Sequence, residues 1–284
     1  MKPQQTPSDG IALVTRIIAI ANQKGGVGKT TTTVNLAASL AATKRRILLV
    51  DLDPQGNATM GLGIDKHELE SSIYDALIDD SFDIQKAIQK SETSGCDILP
   101  SNSDLTAAKV EMLSMMMKEQ RLKHQLKKVS ANYDYVLIDC PPALNILTVN
   151  ALTAADSILI AMQCEYYALE GLSDLLSSIE QIKNAVNPQL EIEGILRTMY
   201  DPRISLTIEV SNQLAEHFGD KLYRSVIPRN IKLAEAPSYG LPVMHYDRQS
   251  KGALAYLALA GEMLRRHNPT SSDANTTTPT TETV

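Results

Sequence analysis

Tryptophan is missing from this chain, and phenylalanine occurs only twice in 284 residues. A core must therefore be assembled from Leu, Ile, Val, Ala and Met rather than from aromatic rings. Cysteine is scarce as well: Cys96, Cys140 and Cys164 lie far apart, with no C-x-x-C pair. That spacing argues against a disulfide framework or a zinc site, leaves each thiol as a small buried hydrophobe, and fits a reducing cytoplasm. No apolar run has the ~20-residue length of a membrane span. The opening segment, Met1 to Pro7, lacks the apolar stretch of a signal peptide. The formal net charge is −6, which speaks against nucleic-acid binding through bulk charge alone. A local basic patch stays open, because screening makes the nearest charges matter most.

What is there is an alternation of apolar strand and helix patterns. Strands are expected over 16–22, 46–52, 97–100, 134–139, 157–163, 191–198 and 222–227. Helices are expected over 29–43, 71–78, 83–89, 104–130, 145–153, 169–186, 204–218, 231–235 and 250–266. Continuous apolar runs such as Ile47–Val50, Tyr135–Ile138 and Ile158–Ile160 suit strands covered by helices on both faces. The pattern predicts an α/β fold with a doubly wound, mostly parallel sheet and ligands at the carboxyl ends of the strands. No internal repeat or linker divides it. One domain over 15–266 is expected, between a flexible N-terminus over 1–14 and a disordered polar tail over 267–284, rich in Thr, Ser, Pro and Asn.

The strongest local signal is Lys24-Gly25-Gly26-Val27-Gly28-Lys29-Thr30-Thr31. It follows the apolar run Ile17–Ala21 and precedes the amphipathic stretch Val34–Ala41. Strand, glycine turn and helix are the context of a phosphate-binding loop. The glycines let successive N–H groups turn inward, and the helix start adds its positive dipole end. Lys29 can neutralise β- and γ-phosphates, and the Thr30 hydroxyl can ligate Mg²⁺. ATP and Mg²⁺ are the expected cofactors. The ordinary loop would have glycine at position 23, where this chain has Gln23, and it carries a second lysine, Lys24, at the front.

Two acidic motifs fall at predicted strand ends. Asp51-Leu52-Asp53-Pro54-Gln55-Gly56 places Asp53 in a turn, where a carboxylate can orient and partly deprotonate an attacking water. Asp51 reads as a buried structural acid. Asp139-Cys140-Pro141-Pro142 puts a carboxylate after the apolar strand 134–138, the position from which Mg²⁺ is held. Thr30, Asp53 and Asp139 are thus the expected metal-site residues. Along 104–130, Met112, Leu113, Met115, Met116 and Met117 form a stripe. Such a stripe serves either as a binding groove or, more commonly, as core packing. The basic end of this segment (Lys118, Arg121, Lys123, Lys127, Lys128) is either a nucleic-acid contact or a solvated face.

The loop with its leading lysine resembles the deviant P-loop of the dimerising ATPases that include ParA/Soj, MinD, the nitrogenase iron protein and the arsenite-pump ATPase. The resemblance extends from about residue 16 to 265. Asp53 matches the first-switch aspartate of that family, and Asp139-Cys140-Pro141-Pro142 its D-x-P-P second switch. Gln55–Thr59, the Glu170-Gly171-Leu172 helix opening and Ile227-Pro228-Arg229-Asn230 favour the chromosomal-type, Soj-like ParA branch. The larger plasmid ParA proteins carry an extra N-terminal helix-turn-helix domain, for which no room is expected before residue 16. The resemblance implies that Lys24 crosses a dimer interface to the partner's nucleotide, that Gly25 permits close approach of two loops, and that Pro228 and Asn230 lie near adenine. It further implies ATP hydrolysis that is slow alone, an ATP-bound homodimer, non-specific binding to double-stranded DNA, and a ParB/Spo0J-type partner that stimulates turnover. Arg203 and Arg229 are the expected DNA contacts, with Arg224, Lys232, Arg248 and Lys251 as lesser ones. The expected location is cytoplasmic, on the nucleoid.

Three rivals share the fold. A MinD-like membrane ATPase needs a C-terminal amphipathic helix, which the threonine-rich end does not supply. An iron–sulfur reductase needs two cysteines sharing a cluster, yet Cys140 sits inside the second switch motif and no glycine-rich loop surrounds Cys96. A nucleotide-dependent biosynthetic enzyme would turn over a small molecule without regard to DNA.

Overall fold

The computed structural model describes residues 14–268. The expectations for residues 1–13 and 269–284 lie outside the described residues. Eight strands form one sheet: β1 (Arg16–Ala21), β2 (Ile47–Asp51), β3 (Gln89–Lys90), β4 (Asp97–Leu99), β5 (Tyr135–Asp139), β6 (Ser157–Gln163), β7 (Glu191–Tyr200) and β8 (Leu222–Pro228). Their spatial order is β3-β4-β2-β5-β1-β6-β7-β8, and every pairing is parallel except the short edge pair β3–β4. The helices are α1 (Lys29–Ala41), α2 (Asn57–Gly61), α3 (Ile73–Ile78), α4 (Leu105–Glu111), α5 (Arg121–Lys127), α6 (Ile146–Ala154), α7 (Ala168–Ala185), α8 (Ser205–Phe218), α9 (Ile231–Glu235), α10 (Val243–Tyr246) and α11 (Lys251–His267). Among the described residues, no helix is long and apolar enough to cross a membrane.

The uninterrupted apolar strands explain the layering. Successive side chains alternate between faces, so Ile18 and Ile20 join one core while Ala19 and Ala21 join the other. Leu48 and Val50 divide from Ile47 and Leu49 in the same way. On one face lie α1, through Val34, Leu36, Ala37 and Leu40, and α11, through Ala253, Tyr256, Leu259 and Met263. On the other lie α3 to α8. Central β1 has β5 on one side and β6 on the other. Its carboxyl end, where α1 begins, sits at the sheet's topological switch point, the crevice in which such folds bind ligands.

Two predicted helices are not continuous. Over 83–89 only one 3-10 turn forms, Ile84–Lys86, and the chain then enters β3. The predicted helix 104–130 splits into α4, a 3-10 turn at Met112–Ser114, and α5. Met115 is extended and Met117 has φ +52°, which ends helical propagation. The side chain of fully buried Asn150 on α6 holds the break: its amide donates to Lys118 O at 2.7 Å and its carbonyl accepts from Leu122 N at 3.1 Å. The methionine stripe therefore divides. Met112 is core, whereas Leu113, Met116 and Met117 are exposed. Arg121 leaves the proposed basic face altogether, since it is buried and donates to Leu77 O, Ile78 O and Asp80.

Candidate functional site

The glycine loop turns from β1 into α1 with Gly26 at φ +74° and Gly28 at φ +86°. These left-handed conformations need glycine. A Cβ built on Gly25 or Gly26 meets nothing within 4 Å, so the space above the loop is open to a ligand. Gln23, Lys24, Gly25 and Gly26 are exposed, while Val27 and Lys29 are buried. Thr198 on β7 anchors the loop from behind: its hydroxyl lies 2.7 Å from Val27 O and 3.0 Å from Met162 O. Nothing in the sequence singled out Thr198, because its role comes from strand pairing alone.

Lys29 is only 7% exposed, and its Nζ donates to Lys24 O at 3.1 Å. Burial lowers its pKa, against the opposing charges of Asp139, Cys140 and Asp53. A buried ammonium with one carbonyl partner beside free backbone N–H groups and a helix start is suited to a phosphate. Thr31 lies in the first turn of α1, its carbonyl accepting from the Asn35 amide at 2.7 Å.

Asp139 ends β5 and is fully buried. It accepts from Thr30 Oγ1 at 2.7 Å and from Thr33 Oγ1 at 3.0 Å. Burial raises its carboxyl above the usual range, and the charge of Asp51 adds to the rise. Asp51 is its direct neighbour on β2 and is also buried and raised, chiefly by desolvation. Asp51 is tied down locally, by Thr59 N at 2.8 Å and Thr59 Oγ1 at 2.7 Å, as expected of a structural acid. The Thr30–Asp139 pair is the donor set that a hard cation prefers when a phosphate approaches. Asp53 stands apart from it, half-buried in its turn. One of its oxygens accepts from Gln55 N at 3.0 Å, and Ser101 Oγ donates to its main-chain oxygen at 2.9 Å. No trio of His, Cys, Asp or Glu among the described residues makes a metal cage. Any cation here would depend on Thr30, Asp139, ligand oxygens and water.

Lys24 does not project freely. Its ammonium pairs with Glu165, just past the end of β6. The adjacent Tyr166 and Tyr167 are more than 70% exposed. Glu165 was not singled out by sequence reasoning, since an acid in a loop carries no spacing signal. Pro228 closes β8 opposite Tyr200, and Asn230 caps α9 by accepting from Lys232 N at 3.0 Å. Arg203 and Arg229 converge near Asp201. Arg203 donates to both Asp201 oxygens, at 2.9 and 2.7 Å, and Arg229 N donates to Tyr200 O at 3.4 Å. Those bonds from Arg203 hold the Asp201 carboxyl down at about 2, with a smaller contribution from Arg229. Lys232 is engaged by Glu235 at 2.9 Å. All three cysteines are buried, and burial pushes the Cys96 and Cys164 thiols up to about 11. This suits inert packing rather than cluster ligation.

A family model described as an AAA domain matches residues 15–192. The sporulation initiation inhibitor protein Soj of Bacillus subtilis is 52% identical over 248 residues, 87% of this chain and 98% of Soj. The chromosome partitioning protein ParA of Myxococcus xanthus is 50% identical over 262 residues, 92% of each chain. Among solved structures, cobyrinic acid a,c-diamide synthase from Mycobacterium smegmatis, with bound ATP analog and magnesium, is 37% identical. It superposes with a TM-score of 0.78 and covers 90% of this chain and 97% of that one. With a glycine loop led by a second lysine, a Thr30–Asp139 pair at the switch point, and these likenesses across nearly the whole described length, the chain belongs to the ParA/Soj family of deviant P-loop ATPases.

Proposed function

We propose that this ATPase binds ATP with Mg²⁺, closes into a homodimer around two nucleotides, and in that form binds double-stranded DNA without sequence preference. A ParB/Spo0J-type partner then stimulates hydrolysis, and the cycle partitions a chromosome or plasmid. The dimer works in the cytoplasm, on the nucleoid. The observation that carries this reading is Lys24, exposed at the mouth of an open glycine loop whose own phosphate lysine, Lys29, is separately buried.

Each part of the chain has a task in this scheme. The loop from Gly25 to Thr31 gives its N–H groups to the triphosphate, and Lys29 neutralises the β- and γ-oxygens. Thr30 and Asp139 would hold the metal, and the charge of Asp53, felt at both Asp139 and Lys29, would act on its water shell. Mg²⁺, when bound, would supply charge neutralisation for the triphosphate. Asp53 has one carboxylate oxygen committed to Gln55 N and the other available to orient water. Pro228 and Asn230 flank the adenine. Lys24 meets the facing subunit's phosphates, so only the triphosphate makes the dimer tolerable. Two copies of the Arg203–Arg229 surface then act as one body, gaining effective concentration on DNA.

The deciding experiment is DNA retention with ATP, ADP and no nucleotide across a salt series, with anionic liposomes and a DNA-free turnover assay alongside. ATP-gated, sequence-indifferent DNA binding supports the proposal. ATP-dependent liposome pelleting without DNA retention would replace it with a MinD-like membrane role. Turnover of a small molecule indifferent to DNA would replace it with a biosynthetic one.

A further inference from the structure

Arg203 is 87% exposed, yet its guanidinium is already occupied. Its Nε and Nη2 edge, the edge that would grip a phosphate in bidentate fashion, is fully engaged by Asp201 at 2.9 and 2.7 Å. The turn enforces this pairing, because Asp201 Oδ1 also accepts from Arg203 N at 3.0 Å. Asp201 is anchored at the end of β7 and only 16% exposed in its side chain, so it cannot swing away as a surface acid would. Arg229 follows β8, which pairs Pro228 with Tyr200 beside Asp201. One carboxylate therefore sits among the two arginines proposed to touch DNA.

We propose that Asp201 is an attenuator of the DNA surface: it occupies the phosphate-gripping edge of Arg203 and so keeps a single subunit's hold on DNA too weak to persist. This rests on the reading of Arg203 as a DNA contact. A phosphate approaching Arg203 must either displace the carboxylate or bind the remaining Nη1 edge against its charge. The attenuation matters for an ATP-gated cycle, because a monomer released after hydrolysis has to leave DNA. Two attenuated surfaces on one dimer still suffice through effective concentration.

The test is a double-mutant cycle on DNA retention, measured by salt titration with and without ATP. Asp201→Asn keeps the acceptor for Arg203 N and removes the charge. Asp201→Ser supplies a second, smaller variant should the first melt below the wild type. The charge-free variant is expected to bind DNA about threefold more tightly per subunit, hence about tenfold as a dimer, and most at low salt. It should also leave measurable DNA retention without nucleotide. In an Arg203→Ala background the gain should vanish. Unchanged or weaker binding by both Asp201 variants overturns the attenuator, and so does a gain that persists without Arg203. The underlying reading fails separately: Arg203→Ala alone would then bind DNA as the wild type does.

Discussion

Lys24 and Glu165 of the same subunit form an ion pair, ammonium against carboxylate, with the two side chains 53% and 48% exposed. The lysine assigned to the facing subunit is thus parked on its own chain when the subunit is alone. Exposed pairs of this kind are worth about 0.2–1 kcal/mol, so the parking is easily reversed when a triphosphate offers more charge. Lys24→Ala is expected to bind ATP yet stay monomeric by analytical ultracentrifugation at protein concentrations where the wild type dimerises. Each dimer releases two such pairs, so Glu165→Gln should dimerise at up to about thirtyfold lower protein concentration. Normal ATP-dependent association of Lys24→Ala would remove the interface role of this lysine.

Gly25 separates folding from docking. Within one subunit a Cβ there touches nothing within 4 Å, and Gly25, unlike Gly26, is not in the left-handed region. Gly25→Val should therefore melt with the wild type. In a dimer that brings two glycine loops together, the added branch has no place. The variant is expected to remain monomeric with saturating ATP and Mg²⁺, and to lose ATP-gated DNA retention. A Gly25→Val protein that dimerises normally would show that the two loops do not approach closely.

Asp53 is held in its turn by Gln55 N and through its main-chain oxygen by Ser101, outside the Thr30–Asp139 pair. Its removal should leave the phosphate loop intact. Asp53→Ala is expected to bind ATP and DNA, to accumulate as the dimer, and to lose on the order of 10²–10⁴-fold in turnover, the range for a positioned general base. Phosphate release measured at saturating ATP checks this, and near-normal turnover would reassign the water-orienting role. Lys29→Ala, by contrast, should lose nucleotide binding itself, read by fluorescence of a labelled ATP.

The places in the fold of the glycine loop, Asp51, Asp53 and Asp139, though not their roles, were legible in the sequence because each is tied to a local pattern: a turn that needs glycine, or an acid at or just past the end of an apolar strand. The parallel sheet was legible for the same reason, in runs such as Ile47–Val50 that only a doubly covered strand tolerates. What sequence periodicity missed is set by long-range contacts. The break in 104–130 is dictated by Asn150, which bonds Lys118 O and Leu122 N from another helix. The partners of the site residues, Glu165 for Lys24, Thr198 behind Val27 and Asp201 across Arg203, belong to loops and strands whose meeting follows from topology. The short elements α2, α10 and β3 offer too few residues for any period to register.

Far from the site, Glu193 on β7 makes the fold itself sensitive to acid. Its side chain is largely buried and accepts from Ser157 Oγ, Tyr223 OH and His267 Nε2, each at 2.9 Å. Tyr135 OH lies 2.9 Å from the other nitrogen of His267, so this cluster ties the end of α11 to four strands, β5 to β8. Burial alone would raise the Glu193 carboxyl, but the His267 bond and charge, with Tyr223 and Ser157, outweigh it and hold the group at about 2. A carboxyl depressed on folding stabilises above its unfolded value, here 4.5, and that stability is lost as pH falls toward 2. Its share is on the order of 3 kcal/mol. Glu193→Gln should therefore be less stable than the wild type at pH 7, and its stability should fall less steeply between pH 5 and 3. Urea unfolding across that range measures both slopes. Parallel slopes would mean that Glu193 takes up its proton in the folded protein no later than in the unfolded chain.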